Sequence, residues 1–294
     1  MKISAIYSTR DPENNEFALF HECGFDAVDF SLGGLYGKSD KELKDLCTKI
    51  RKSAEKAGIV IGQTHSDFSG HPRDYNFDYD EIVERQIVSI KATHWLGAKH
   101  CVVHPIILPG RRYDLLVQEN IDKTVEFYKR LIPTLEEYDV YCCVENMWVC
   151  DPVYKHICPT VFSRCQEMVD VCNMLGDRFK ICVDTGHGEV TGDDPVEMVR
   201  IAGDKLAVLH CHGTNGRGDL HTFPFMWHQP SKGAPMCDWE ELMKALDEVG
   251  YTGNLNFEIG MPGPNGIRKA GLKYLAKTGA YLASLREGGK PFEE

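Results

Sequence analysis

The sequence predicts a single (β/α)8 TIM barrel, with residues 1–294 forming one domain. Three observations support this fold class. Eight short apolar runs alternate with longer amphipathic stretches, and most of these runs are apolar throughout, as in parallel strands buried on both faces. A glycine, which commonly ends a helix, follows five of the amphipathic stretches. A doubly wound open sheet is the alternative, but residues 8–12 after the first run lack its phosphate-binding glycine motif.

The elements follow one another in the order that such a barrel requires. Strands are predicted at residues 3–7, 27–30, 59–64, 100–104, 141–144, 179–183, 206–210 and 255–259. Helices are predicted from the spacing of apolar residues at 41–57, 79–96, 121–135, 161–175, 196–202, 239–249 and 267–285. The helix-ending glycines are Gly58, Gly97, Gly176, Gly203 and Gly250. Residues 213–237 show no helical periodicity and are predicted to form a loop over the active face.

The composition excludes several classes of partner. The 294 residues include 33 Lys and Arg against 44 Asp and Glu, a formal net charge of −11. Such a chain lacks the basic clusters that bind nucleic acid or an anionic membrane. The first residues do not have the pattern of a signal peptide, and no apolar run approaches the roughly 18 residues of a membrane span. We therefore expect a cytoplasmic protein whose 12 cysteines, which form no CxxC pair, stay reduced.

Polar side chains follow the last four predicted strands. Glu145, Asp184 and Glu258 follow the fifth, sixth and eighth strands, and the seventh ends at His210 with His212 two residues later. Active sites of barrels lie at these strand ends, and a buried carboxylate needs a partner. Taken singly, Asp184 could cap a helix, and either histidine could belong to the core. Together, three carboxylates and one histidine favour a divalent cation.

Motifs at these strand ends resemble a known family. They are Val-Glu-Asn at 144–146, Val-Asp-Thr-Gly-His at 183–187, His-Cys-His-Gly-Thr-Asn-Gly-Arg at 210–217 and Phe-Glu-Ile at 257–259, with Gly-Tyr-Thr-Gly at 250–253 before the last. In this order they resemble the sugar isomerase/epimerase group of xylose-isomerase-like TIM barrels, in the AP endonuclease family 2 superfamily. The resemblance implies a metal-dependent isomerase or epimerase that acts on a small sugar, ketose or polyol.

The resemblance also implies a set of metal ligands. His212 is preferred over His210 because the family's histidine is followed three residues later by a polar or acidic residue, here Asn215. The implied ligands are Glu145, Asp184, His212 and Glu258. An oxygen-rich set of this kind suits Mn²⁺ best, with Co²⁺, Mg²⁺ and Zn²⁺ as alternatives.

Catalytic and substrate-binding residues are expected at the same mouth. By the resemblance, Glu145 and Glu258 would move a proton next to a carbonyl, through an enediolate. The partner would be a small sugar or polyol, and relatives often form homo-oligomers. The expected substrate contacts are His187 and Arg217 from the resemblance, and His65 and His104 from their positions at strand ends. An apolar wall or lid is expected from Trp148, Phe223, Phe225 and Trp227.

Other functions remain as alternatives at this stage. An inosose-type dehydratase on the same scaffold would also begin by metal-assisted proton abstraction but would then expel a hydroxyl. An AP-endonuclease-like hydrolase is opposed by the charge of −11 and by an apparent shortage of ligands, since only Asp29, Asp219 and His221 stand near the expected positions. A non-catalytic sugar-binding barrel would be expected to have lost a ligand, and all four are present.

Overall fold

A computed structural model describes residues 1–68, 78–108, 113–151, 153, 155–226, 236–261 and 263–286. Eight strands lie at the positions expected for the barrel, and two short strands form a separate hairpin. The barrel strands are β1 (Ile3–Tyr7), β2 (Ala27–Ser31), β3 (Val60–His65), β4 (His100–Val103), β5 (Tyr141–Glu145), β8 (Phe179–Asp184), β9 (Leu206–His210) and β10 (Leu255–Phe257). The hairpin consists of β6 (Trp148–Cys150) and β7 (Ile157–Pro159).

The eight barrel strands form one parallel sheet. Their order is β10-β1-β2-β3-β4-β5-β8-β9, so each strand pairs with its neighbour along the chain once the hairpin is set aside. The ring closes just beyond β9, where Cys211 bridges to Phe257 in parallel. There the amide of Cys211 donates to the carbonyl of Asn256 at 2.8 Å. The predicted (β/α)8 barrel is confirmed.

Helices connect the strands and cover the outside of the ring. The described helices are α1 (Phe17–Cys23), α2 (Asp40–Lys56), α3 (Tyr79–Leu96), α4 (Tyr113–Glu137), α5 (Cys165–Leu175), α6 (Thr185–Thr191), α7 (Pro195–Ala202), α8 (Trp239–Glu248) and α9 (Asn265–Arg286). The five helix-ending glycines all have positive φ, from 56° at Gly203 to 96° at Gly176, a conformation that costs glycine little. Of these helices, none among the described residues is long and apolar enough to cross a bilayer.

Two helices and the hairpin were not predicted from the sequence. Both α1 and α6 have seven residues, too few for a periodic apolar pattern to be read. The side chain of Asp184 caps α6 by accepting from the amide of His187 at 2.7 Å, so the helix starts directly at a strand end. The strands of the hairpin have three residues each. In addition, α4 begins at residue 113, eight residues before the predicted start at 121.

Two layers of buried side chains position the mouth of the barrel. The main core lies between strands and helices, whereas a small separate cluster of Val102, Cys143, Cys182 and Val208 fills part of the ring's interior. Because side chains alternate along a strand, Cys143 and Cys182 point to the same side as Glu145 and Asp184 two residues later. The strand-end carboxylates therefore point over the interior of the ring. All 12 cysteines are described, and each is a free thiol.

Candidate metal and active site

The carboxyl ends of the barrel strands bring together the residues that the sequence singled out. Glu145 and Asp184 are the last residues of β5 and β8, and Glu258 follows β10 directly. Their side chains are 1%, 0% and 13% exposed. Three carboxylates thus converge on a largely dry mouth, where each needs a counter-charge or a proton.

His210 lies among these three carboxylates. Its Nδ1 is 2.8 Å from Oε1 of Glu145 and 3.5 Å from Oε2 of Glu258. One potential ligand atom from each of Glu145, Asp184, His210 and Glu258 lies within 4.8 Å of the others. The interior position of His210, expected from its spacing of two residues from His212, agrees with its complete burial.

His212 approaches the mouth from beside Asp184. Its Nε2 lies 3.1 Å from Oδ1 of Asp184, and its Nδ1 lies 3.4 Å from the carbonyl of Gly213. The ring of His212 packs against residue 186, which is glycine. A β-carbon at that position would lie 1.9 Å from Cε1 of His212 and would exclude the ring. Thr185 fixes the backbone, donating from its hydroxyl to the carbonyl of His212 at 2.7 Å. The ring is therefore held with Nε2 directed at a carboxylate.

A further group of ligand-type side chains comes from the loop after β9. Asp219 Oδ2 lies 3.3 Å from Nε2 of His221 and 3.5 Å from Nε2 of His187, and Asp219 Oδ1 lies 3.5 Å from Nε2 of His212. The ring of His221 stacks on that of His212 at 4.0 Å between centroids. Trp148 of the hairpin donates its indole N–H to Asp219 at 3.2 Å. The loop after β9 therefore folds so that Asp219 and His221, which the sequence shows without a clear register, lie beside His212 as ligand-type side chains.

The predicted substrate-binding residues lie in different places. Nε2 of His104 is 3.0 Å from Oε2 of Glu145 and 3.1 Å from Nε2 of His65, so both histidines line the mouth beside that carboxylate. His187 lies there too, with Nδ1 2.8 Å from the carbonyl of Asn146. Arg217 is exposed on the loop after β9, two residues before Asp219. Trp227 lies outside the described residues.

The charges of the mouth are strongly coupled. Burial favours a protonated Glu145, but the charges and hydrogen bonds of His210 and His104 outweigh it and hold the pKa of Glu145 well below its ordinary value. Burial favours a neutral His210, yet nearby anionic groups that include Glu258 and Glu145 raise its pKa well above the ordinary value. Burial also raises the pKa of Glu258 to about 7, and the charges of Glu145 and Asp184 add to this rise. Glu258 is thus the carboxyl group of the mouth that most readily keeps a proton.

Several buried atoms of the site have no hydrogen-bond partner within the described part of the chain. Among them are Oδ2 of Asp184, Nε2 of His212 and Oδ1 of Asp219. Leaving such an atom unsatisfied costs about 1–3 kcal/mol. A divalent cation among these atoms would satisfy carboxylate oxygens and an imidazole nitrogen together. The donor set of the mouth therefore fits a metal ion.

Three contributors to the site were not identified from the sequence as members of the mouth. Asn146 joins β5 to β8, donating to the carbonyl of Asp184 at 2.8 Å and accepting from its amide at 2.7 Å. Asp219 and His221 were noted only as an incomplete hydrolase motif. Their two-residue spacing was a weak signal, since nothing in the sequence indicates that the loop folds back onto His212.

Comparison with known proteins places the chain in a family. A model of the xylose isomerase-like TIM barrel family matches residues 17–278. The D-psicose 3-epimerase of Enterocloster bolteae is 24% identical over 241 residues, 78% of this chain and 71% of that protein. Among solved structures, a D-tagatose 3-epimerase-like protein is similar, with a TM-score of 0.69 and 19% identity over 98% of this chain and 99% of that one. The D-allulose 3-epimerase of Methylomonas sp. has a TM-score of 0.70 and 12% identity, covering 97% and 98% of the two chains. Since the family model spans most of its length, this chain belongs to the xylose isomerase-like TIM barrel family.

Proposed function

We propose that this protein is a divalent-metal-dependent epimerase of a small ketose or a related polyol. One observation carries the proposal: Glu145 and Glu258 reach the same imidazole nitrogen of His210, at 2.8 and 3.5 Å, from strands three steps apart in the ring. Two carboxylates that meet from separate sides of a mouth suit a reaction that removes a proton from one face of a carbon and returns it to the other. The names of the similar proteins, two 3-epimerases of ketoses and one 3-epimerase-like protein, support this reaction class.

We propose that the metal is held by three carboxylates and one imidazole. His212 is our choice for the imidazole, because its Nε2 lies 3.1 Å from Asp184, whereas both nitrogens of His210 already face carboxylates, Nδ1 at 2.8 Å from Glu145 and Nε2 at 3.0 Å from Asp29. Mn²⁺ is the ion we expect in a site richer in oxygen than in nitrogen. When bound, the ion supplies Lewis-acid polarisation of a substrate carbonyl. The proposed ligands are Glu145, Asp184, His212 and Glu258.

The chain's own groups would handle protons and orient the substrate. Glu145 and Glu258 are the proposed acid–base pair, and their pKa values are displaced in opposite directions, as two groups that exchange roles require. His65, His104 and His187 are proposed to hydrogen-bond substrate hydroxyls. Arg217, on the exposed loop after β9, is proposed to contact a substrate oxygen.

The proposal is tested by hydrogen exchange into a ketose. Purified protein with Mn²⁺ is incubated in D₂O with D-fructose, D-tagatose or L-ribulose, and NMR and chromatography follow deuterium uptake and epimer formation. We expect deuterium at the carbon next to the carbonyl, together with an epimer. Glu145→Gln and Glu258→Gln should each lower the rate by about 10²–10⁴-fold.

The matched control is Glu241→Gln, the same change on the outer helix α8, where Glu241 pairs with Arg200 at 2.6 Å. It should exchange at the wild-type rate. Retained exchange in both mouth variants would contradict the acid–base pair. A conjugated, ultraviolet-absorbing product without an epimer would replace the proposal with a dehydratase, and sugar binding without any divalent ion in the protein would indicate a non-catalytic barrel.

The hydrolase alternative gains one observation from the structure. The group formed by Asp219, His221 and His212 adds ligand-type side chains beside the proposed metal site. The formal charge of −11 still opposes a DNA substrate. Incubation with a duplex that contains an abasic site is therefore expected to leave both strands intact, and cleavage at that site would favour the hydrolase.

A further inference from the structure

A buried polar cluster lies inside the barrel below the mouth, and the proposed chemistry does not use it. Asp29 of β2, Gln63 of β3 and Asn256 of β10 all precede the ends of their strands and are at most 1% exposed. Burying a carboxylate at such a position costs folding free energy unless several hydrogen-bond donors surround it. The groups that contact the carboxylate of Asp29 therefore indicate its role.

Asp29 is held by two amides and faces a third nitrogen. Its Oδ2 accepts from Nε2 of Gln63 at 3.0 Å and from Nδ2 of Asn256 at 3.1 Å. Asn256 is itself oriented, since its Oδ1 accepts from the hydroxyl of Ser4 at 2.8 Å. The same Oδ2 lies 3.0 Å from Nε2 of His210. Amides on β3 and β10 thus hold the carboxylate of Asp29, and the same oxygen faces the imidazole of His210 on β9.

The opposite side of that imidazole faces the mouth. Nδ1 of His210 hydrogen-bonds Oε1 of Glu145 at 2.8 Å. The ring is completely buried and stacks on the ring of His65 at 5.5 Å between centroids. A ring held by neighbours on both nitrogens and on one face transmits the position of one carboxylate to the other. Partners of this kind, one step removed from a metal ligand, commonly set its orientation.

We propose that Asp29 is a positioning residue which, acting through His210, fixes the carboxylate of Glu145. The inference rests on the proposed function, because it assumes that Glu145 serves as ligand and acid–base group. It assigns different roles to the two histidines after β9: His212 binds the metal, and His210 holds Glu145 in place.

The first experiment replaces the carboxylate with its isostere. Asp29→Asn is compared with the wild type and with the control Asp26→Asn, which changes an exposed carboxylate just before the same strand. Calorimetry measures the Kd for Mn²⁺, steady-state kinetics with the ketose give kcat and KM, and thermal melting of the metal-free protein monitors the fold. We expect Asp29→Asn to weaken Mn²⁺ binding 10–100-fold and to lower kcat with KM unchanged. Asp26→Asn should match the wild type.

A second set of variants cuts the chain of contacts at its centre. In His210→Asn, the amide nitrogen stands near the place of Nδ1 and retains the donor to Glu145, but the link to Asp29 is lost. In His210→Gln, the amide nitrogen stands near the place of Nε2 and retains the link to Asp29 alone. We expect His210→Asn to bind Mn²⁺ more tightly than His210→Gln, and His212→Asn to abolish binding. Adding Asp29→Asn to His210→Asn should cause no further loss, because Asp29 acts only through the ring.

The outcomes separate this inference from the proposed function. A wild-type protein that neither binds Mn²⁺ nor turns over a ketose would overturn the proposed function. Wild-type binding together with an unchanged Kd and kcat in Asp29→Asn would overturn only the positioning role. The positioning role would also be overturned if adding Asp29→Asn to His210→Asn weakened Mn²⁺ binding by the full factor expected of Asp29→Asn alone. If Asp29→Asn does not fold, the relative Mn²⁺ affinities of the two His210 variants test the positioning role. Equal loss of Mn²⁺ binding in both variants would make His210 a metal ligand instead.

Discussion

Glu258 is the carboxyl group of the mouth that most readily holds a proton, and a cation bound at the proposed site would have to displace that proton. Its pKa is raised from the ordinary 4.5 to about 7, first by burial and then by the charges of Glu145 and Asp184. Between these two values the folded, metal-free protein holds a proton on Glu258 that the unfolded chain has released. This group therefore stabilises the metal-free fold fully below pH 4.5, and that contribution is lost as the pH rises through about 7.

The pH dependence of metal binding should have the opposite sign. Below pH 7 each bound ion expels one proton from Glu258, so we expect the affinity for Mn²⁺ to fall about tenfold for each pH unit below 7 and to level off above it. Calorimetry at pH 6 in two buffers of different ionisation enthalpy measures the released proton. Glu258→Gln is the control and should release none from this position. An affinity that does not change between pH 5.5 and 7.5 would contradict the assignment.

At the residue scale, the sequence predicted the parts of the site that follow strands directly. Glu145, Asp184 and Glu258 could be found because an apolar run that ends in a carboxylate places that group at the mouth. The contacts of Asp29 and His210 could not be predicted, since they depend on which interior side chains face each other across the ring. Asp219 and His221 depend on the path of a loop that has no periodic pattern.

At the element scale, α6 fastens the loop after β9. Glu189 on this helix is buried, and burial raises its pKa. Its Oε2 accepts from the amide of Thr214 at 2.9 Å and from the hydroxyl of the same residue at 2.7 Å. Its Oε1 accepts from the amide of Cys237 at 3.0 Å. One side chain thus ties both ends of the connection that carries Asp219 and His221.

Glu189→Ala should release this connection. Two buried backbone donors would lose their acceptor, and we expect the free energy of unfolding to fall by about 2–4 kcal/mol. Denaturant unfolding measures the loss, and hydrogen exchange should show faster exchange at the amides of Thr214 and Cys237. Glu197→Ala, on the exposed side of α7, is the control and should change stability by less than about 0.5 kcal/mol. Unchanged exchange at both amides would rule out this anchoring role.

The elements predicted well are those with long, regular patterns. The bounds of α3 were predicted as observed at Tyr79–Leu96, because 18 residues show several turns of periodicity and Gly97 ends them. The helix α6 was not predicted because it starts immediately after the strand-end residue Asp184. Its seven residues show no apolar stripe that would distinguish a helix from a loop. Asp184 is both the cap of that helix and a candidate ligand, so the structural and functional interpretations of this residue apply together.

At the scale of the whole molecule, α9 packs closely where the last strand meets the first. A β-carbon at Gly279 would lie 2.7 Å from Cγ2 of Ile3 on β1 and 2.9 Å from Cε2 of Phe257 on β10. Gly279→Ala should therefore push α9 away from this seam and destabilise the barrel by about 1–3 kcal/mol, with a matching fall in Tm. Gly266→Ala is the control in the same helix, since nothing lies within 4 Å of its β-carbon. It should be neutral or stabilise by up to about 1 kcal/mol. Equal Tm values for the two variants would contradict the close packing.

The hairpin β6–β7 makes the protein easy to observe during turnover. Of the 12 cysteines, all within the described part of the chain, Cys150 is the one that is exposed. It lies two residues from Trp148, whose indole donates to Asp219 on the loop after β9. Because Cys158 on the paired strand is only half-buried, a maleimide fluorophore should label Cys150 selectively once Cys158 is replaced by serine. Its emission would report, in real time, whether hairpin and loop separate when a sugar enters or leaves.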